Sequence, residues 1–212
     1  MLEKMDDFFT ARIDGYDQHM RDTIEGADSF YEFTANLLPK AVNSCVLELG
    51  CGTGLELEAY FKVNPNAKIT GIDLTEAMLD SLKSKFPDKE MTLIHGSYFT
   101  EPFGKEMFDA AVSVESLHHF TKEEKVPLYS KLKNAIRPGG YFVLTDYFAE
   151  LPEQEEYFQQ ELMRLRKEQN LPKDVFFHYD TPLTVEHEEE ALLEGGFSTI
   201  EVMERWGSTC TL

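Results

Sequence analysis

Three glycines at two-residue spacing, Gly50, Gly52 and Gly54, follow the apolar run Val46–Leu49, so a buried strand turns here into a loop with a bare main chain. Without Cβ atoms such a loop adopts positive φ and lets a ligand lie directly against its amides. The dinucleotide fingerprint G-x-G-x-x-G places its third glycine one position later, which argues against NAD. A second β-rich run, Ile69–Asp73, ends in a carboxylate 19 residues beyond Gly54. That is close to the roughly 20-residue interval at which an acid meets the hydroxyls of a ribose. The implied ligand carries a nucleoside. Further along, His118 and His119 follow the run Phe108–Val114, with Glu115 one step nearer its end. Histidine titrates near neutral pH and suits proton transfer.

These residues need a scaffold that brings the ends of several strands together. Strand candidates at 46–49, 69–73, 91–95, 108–114 and 141–144 alternate with helical patterns, which predicts a parallel α/β sheet covered on both faces. Upstream, Ile24, Ala27, Tyr31, Ala35 and Leu38 recur at helical spacing before Pro39. Pro152 followed by Glu153, Glu155 and Glu156 starts another helix, with Phe158, Leu162 and Leu165 as its apolar stripe and Asn170-Leu171-Pro172 as its stop. Thr184 opens a last helix that Gly195-Gly196 closes. Thr199–Met203 reads as strand six, and Trp206-Gly207-Ser208 turns into a seventh.

A chain of 212 residues is long enough for one well-buried core, and the pattern predicts a single domain over 1–212. Within it, 1–40 is an N-terminal helical or lid segment, 41–148 the ligand-binding core, 149–183 an inserted helical cap, and 184–212 the closing helix and strands. The formal charge of −19, from 20 basic and 39 acidic residues, opposes binding to a phosphate backbone. Nucleic acid is therefore an unfavoured partner and a small-molecule acceptor the favoured one. The chain shows no long apolar run and no apolar signal core near its start, so no membrane association is expected and a cytoplasmic location is. Cys45, Cys51 and Cys210 lack metal-ligand spacing and read as reduced thiols. Oligomeric state is not legible.

The stretch Glu48-Leu49-Gly50-Cys51-Gly52-Thr53-Gly54 resembles motif I of the class I S-adenosylmethionine (SAM)-dependent methyltransferases. The likeness continues in order through Asp73, Gly96-Ser97-Tyr98, Glu115–Phe120 and Arg137-Pro138-Gly139-Gly140, covering about residues 42–148. It implies a Rossmann-like, doubly wound, mostly parallel seven-stranded sheet with an N-terminal helical segment and a helical insertion after strand five. It also implies SAM as cofactor, S-adenosylhomocysteine as product, and a cofactor site made of Glu48, Gly50, Cys51, Gly52, Thr53, Gly54, Asp73, Leu74, Met78, Ser97, Tyr98 and Glu115. Ser97 stands where the family often has an aspartate for the adenine amino group. By the same resemblance the N-terminal segment, with Arg12 and Tyr16, is a lid.

A sulfonium methyl is already activated, so the protein must chiefly align a nucleophile and exclude water, and alignment alone is worth about 7–11 kcal/mol. A base helps only where the acceptor carries a proton, by roughly 10²–10⁴-fold, and His118 or His119 is the candidate. Tyr16, Tyr147, His178 and Tyr179 are the expected acceptor-binding side chains, and Phe176 and Phe177 could add an aromatic wall. Metal assistance is not expected. Glu115 and Asp146 stand where metal-dependent O-methyltransferases place oxygen ligands, but Tyr147 occupies the position of their asparagine. Two alternatives remain open: a SAM-binding regulator or scaffold without turnover, and an enzyme using a modified SAM.

Overall fold

The computed structural model describes residues 1–172 and 174–212. Five strands, β1 (Cys45–Leu49), β2 (Lys68–Asp73), β3 (Met91–His95), β4 (Phe108–Val114) and β5 (Ile136–Tyr147), run parallel, and the full sheet has the order β3-β2-β1-β4-β5-β7-β6. The last two, β6 (Glu204–Trp206) and β7 (Thr209–Thr211), form a hairpin whose β7 runs antiparallel to β5. The order reverses between β1 and β4. In open sheets of this kind the ligand crevice lies at that switch point, outside the carboxyl ends of the strands.

Neighbouring residues on the central strands serve two cores. Val46, Val112 and Val143 pack with α3 (Ala27–Leu37), α4 (Leu55–Val63) and α5 (Glu76–Lys85), whereas Leu47, Ala111 and Leu144 pack with α6 (Lys122–Ala135) and α8 (Val185–Glu194). The sheet is thus buried on both faces, which is why its strands read as apolar runs rather than as alternating patterns. The helix signals match local chemistry. Glu124 accepts the Thr121 N–H at 2.9 Å at the start of α6, and Thr184 Oγ1 accepts the His187 N–H at 3.3 Å at the start of α8.

Three helices carry the regions before and after the five parallel strands. Helices α1 (Met5–Thr10) and α2 (Tyr16–Thr23) form the N-terminal segment, and α7 (Pro152–Glu168) is the insertion after β5. Glu155 of α7 is buried and accepts the Thr184 N–H at 2.9 Å, with His187 Nδ1 2.8 Å away, so the insertion is tied to the start of α8. The N-terminal segment pairs with the chain after α7: the Met5 N–H donates to the Phe176 carbonyl and the His178 N–H to the Glu3 carbonyl, both at 3.0 Å. The N-terminal segment and the chain after α7 therefore meet through backbone hydrogen bonds.

Two expectations need correction. Strand six does not occupy Thr199–Met203; it lies at Glu204–Trp206. Among the described residues its ladder partner is β7, with positions from Thr209 to Thr211, so residues 199–202 lie outside the ladder, and Thr199, Ile200 and Glu201 line an apolar cavity instead. Strand five does not begin at 141 but at Ile136, and the Pro138-Gly139-Gly140 stretch is an irregular part of it. Ile136 faces Phe108 and Tyr141 faces Ala110, so four residues bulge past Asp109, which pairs with Arg137 at 2.5 Å. A Cβ at Gly140 would come within 2.5 Å of the Asp109 carbonyl, which explains that glycine.

Candidate functional site

The glycine loop leaves β1 at the switch point with φ values of +69°, +47° and +75° at Gly50, Gly52 and Gly54. Each glycine answers a different constraint. A Cβ on Gly50 would stand 2.7 Å from Ser116 Cβ, and one on Gly54 would strike Leu82, so both are packing requirements. A Cβ on Gly52 would meet nothing within 4 Å, because that position faces open space. Asp73 holds the loop in place: its Oδ2 accepts the Gly52 N–H and its Oδ1 the Thr75 N–H, each at 2.8 Å. Burial raises the Asp73 carboxyl pKa, while those two N–H groups pull it down.

Around the loop lies a cavity of about 70 Å³ lined by Gly50, Gly52, Asp73, Leu74, Met78, Ser97, Tyr98 and Glu115. Met5, Phe9 and Tyr16 from the N-terminal segment and Phe176 from the chain after α7 complete its walls. A second, wider cavity of about 890 Å³ is lined by α1 and α2 residues with His118, Tyr147, His178 and Asp180. The two share Phe9, Tyr16, Glu115 and His119. These four residues form the partition.

On that partition sits a network of histidines and acids. Asp146, at the end of β5, receives the Leu117 N–H on Oδ2 at 2.8 Å and the Tyr147 N–H on Oδ1 at 2.9 Å, and its Oδ1 is 2.5 Å from His118 Nδ1. Burial opposes charge on His118, but the Asp146 carboxylate overcomes it and lifts the pKa to about 9. Burial and the charged His118 then lower the pKa of His119. His119 Nδ1 faces Asp180 Oδ1 at 3.1 Å and the Tyr179 carbonyl at 3.3 Å. Burial and the Asp146 carboxylate push Glu115 up to about 7, and the residue holds a positive φ of +49° at the strand end. Burial raises the Asp180 pKa, but the His119 hydrogen bond and the charged His118 bring it below the ordinary carboxylate range.

Residues 46–140 match the family profile described as a methyltransferase domain. The chain is 30% identical over 146 residues to the biotin biosynthesis bifunctional protein BioHC of Teredinibacter turnerae, covering 65% of this chain and 25% of that one. It is 28% identical over 108 residues to the tRNA (carboxymethyluridine(34)-5-O)-methyltransferase of Arabidopsis thaliana, covering 50% of this chain and 25% of the relative. The fold superposes on an S-adenosylmethionine-dependent methyltransferase from Mesorhizobium loti with a TM-score of 0.61 at 22% identity, over 87% of this chain and 86% of that one. Residues 46–140 are thus similar to methyltransferase domains, and the fold is shared with S-adenosylmethionine-dependent methyltransferases. It spans between 25% and 65% of the length of the first curated relatives it matches.

The lining of the cavity at the switch point suits the cofactor of such domains: a cradle open above Gly52, a carboxylate with lone pairs to spare, and apolar walls for a planar ring. Of the twelve residues expected to bind it, eight line the cavity. Glu48 does not; it is buried on β1 with its Oε2 lacking a hydrogen-bond partner, and burial and Glu56 raise its pKa well above normal. Cys51 packs behind the loop toward Gly71, Thr53 bonds to Asp17 at 2.5 Å, and Gly54 begins α4. Ser97 Oγ lines the cavity and accepts the Phe99 N–H at 3.2 Å.

Among the expected acceptor residues, Tyr16 lines both cavities and Tyr147 and His178 line the wider one. Tyr179 lines neither and meets the site through its carbonyl alone; Phe177 is buried against Arg166. Arg12 lines the wide cavity but is paired with Glu3 at 3.1 Å and stacked on Phe8. Sequence reading passed over Asp180, which contacts both histidines, and Met5 and Phe9. No spacing links Asp180 to His119 across 61 residues; only the fold does.

Proposed function

We propose that the chain transfers a methyl group from SAM to a small-molecule acceptor held in the wide cavity. The observation that carries this is the shared partition: Phe9, Tyr16, Glu115 and His119 wall both the cofactor cavity and a neighbouring space of about 890 Å³. That volume is within the roughly 300–1,000 Å³ of small-ligand sites. A polynucleotide is disfavoured by the charge of −19 and by carboxylates along the partition.

When bound, SAM supplies a methyl group already activated by its sulfonium. Gly52 would leave room for it, Asp73 would accept from the ribose hydroxyls, Leu74 and Met78 would supply apolar wall for the base, and Ser97 would offer it a hydroxyl. Tyr16, Phe9 and Phe176 exclude water from the transfer axis, and Tyr147 and His178 hold the acceptor from the other side. Where the acceptor is a hydroxyl or an ammonium, His119 takes its proton on Nε2, with Nδ1 held by the Tyr179 carbonyl and faced by Asp180. His118, kept charged by Asp146, adds a positive charge beside the developing anion.

Calorimetric titration with SAM and with S-adenosylhomocysteine, followed by a methyl-release assay across a metabolite panel, tests this reading. Binding with turnover on a small molecule is expected. Tight binding with no turnover on a broad panel would favour a SAM-binding regulator, and turnover only on RNA would overturn the small-molecule assignment.

A further inference from the structure

We propose that His118, His119 and Asp180 form a binding site for a divalent transition-metal cation in the wall of the wide cavity. Three donor atoms converge there. His118 Nε2 is 3.7 Å and His119 Nδ1 3.1 Å from the same oxygen, Asp180 Oδ1, and the three donors lie within 4.8 Å of one another. Ligands bonded to one cation at 2.0–2.2 Å stand about 3.4 Å apart in a tetrahedron, so the observed spacing brackets what a bound ion requires.

The surroundings of His118 supply the second observation. Metal-bound histidines almost always donate their other ring N–H to a carboxylate, which fixes the tautomer and aims the free nitrogen. Here the Nδ1 of His118 meets Asp146 Oδ1 at 2.5 Å, and Asp146 is itself pinned by the Leu117 and Tyr147 N–H groups. Nε2 is thereby left for a ligand on the Asp180 side. The histidines are each only 8% exposed, whereas the Asp180 side chain is 44% exposed. A cation would have three protein ligands on one side and an open position toward the cavity, the arrangement of catalytic rather than structural metal sites.

The donor set also decides the metal class. Two imidazoles and one carboxylate suit zinc, cobalt, nickel or ferrous iron, and not magnesium or calcium, which favour oxygen alone. A second grouping, Glu115 with His118 and Asp146, is weaker, because both Asp146 oxygens already accept backbone N–H groups and one also meets His118. Sequence reading saw the two acids and a missing oxygen ligand, whereas the fold brings histidines to an aspartate from the cap.

At both histidines the cation and a proton exclude one another, since the ion needs His118 Nε2 and His119 Nδ1 bare, so the ion-bound site and the charged His118 are alternative states. What the ion does rests on the acceptor reading above: a hydroxyl bound at the open position would lose its proton to solvent more readily and attack the methyl as an oxyanion, with no base required. Binding of the ion itself does not depend on that reading.

The test is titration of untagged, metal-stripped protein with Co²⁺ followed by visible absorption, and with Zn²⁺ by calorimetry, with SAM binding measured in parallel. One equivalent with a tetrahedral or five-coordinate cobalt spectrum is expected, lost in His119→Ala and in Asp180→Asn. Asp146→Asn should weaken binding about 10- to 100-fold. Asp180→Asn, on a partly exposed side chain, keeps the test decisive should a histidine variant fail to fold. No cobalt signal in wild type that binds SAM, or an undiminished signal in Asp180→Asn, overturns the proposal. Metal binding without methyl transfer to any small molecule would instead overturn the acceptor reading alone.

Discussion

Thr53 Oγ1 donates a 2.5 Å hydrogen bond to Asp17 Oδ1, fastening the first turn of α2 to the glycine loop. Asp17 also pairs with Lys85 of α5, and its neighbour Tyr16 lines both cavities. The N-terminal segment is thus latched onto the glycine loop. The cavity behind the latch is about 70 Å³, below the roughly 300 Å³ of small-ligand pockets, so entry of SAM is expected to need movement of the N-terminal segment.

Asp17→Ala should therefore speed SAM exchange more than it changes affinity. The partners are partly exposed, so the contact is worth about 1 kcal/mol or less, and equilibrium affinity should fall by less than about tenfold. Stopped-flow association and dissociation rates check this. If both rates match wild type, the Asp17 latch does not govern entry.

Gly50 and Gly52 should separate folding from binding. Both have positive φ, which costs an L side chain about 1–2 kcal/mol. Gly50→Ala adds a collision with Ser116 and should lower the melting temperature clearly. A Cβ at Gly52 meets no protein atom within 4 Å, so Gly52→Val should lose chiefly the backbone cost and yet abolish the SAM-induced rise in melting temperature. A wild-type rise in Gly52→Val would remove the loop from the cofactor site.

Much of this architecture was legible because local chemistry and tertiary structure agree. The strand ends carrying Gly50, Asp73 and Glu115 follow buried apolar runs, and the caps at Thr121 and Thr184 are short-range events. What escaped was long-range. Glu48 has the motif position of a ligand contact, but its side chain turns into the layer beside Glu56, and no spacing reveals which way a strand residue faces at a switch point. Asp180 reaches His119 only because the start of the chain pairs with residues 176–178 and draws the cap over β4 and β5. Strand six was misplaced because Thr199–Met203 has β-type composition but no ladder partner before Glu204.

The buried pair Glu48 and Glu56 should make stability fall as pH rises. Burial, then the neighbouring Glu56, raises the Glu48 pKa well above its usual 4.5. A carboxyl whose pKa is higher folded than unfolded favours the fold while protonated, below the unfolded pKa, and loses that contribution as pH climbs toward the folded value. Glu48→Gln removes the titration but keeps the shape. Its melting temperature should match wild type near pH 4.5 and exceed it by a margin that grows with pH, read from ligand-free thermal melts. A constant offset would mean that Glu48 does not titrate in this range.

Asp73 has two duties that one substitution cannot tell apart. Its oxygens each accept a backbone N–H, from Gly52 and from Thr75, and a carboxylate with about four lone-pair sites keeps two for ribose hydroxyls. Asp73→Ala should weaken SAM binding by about 1.5–3 kcal/mol, or roughly 10- to 150-fold, from the lost charged hydrogen bonds. It should also lower the melting temperature, since two N–H groups lose their acceptor. The ribose contribution is isolated by repeating the titration with a 2′,3′-dideoxy analogue of S-adenosylhomocysteine. Wild type should bind the analogue more weakly than the parent, whereas Asp73→Ala should bind both alike, because the partner of the missing hydroxyls is already gone. An equal penalty in wild type and variant would leave Asp73 as a brace for the glycine loop and place the ribose contact on another residue.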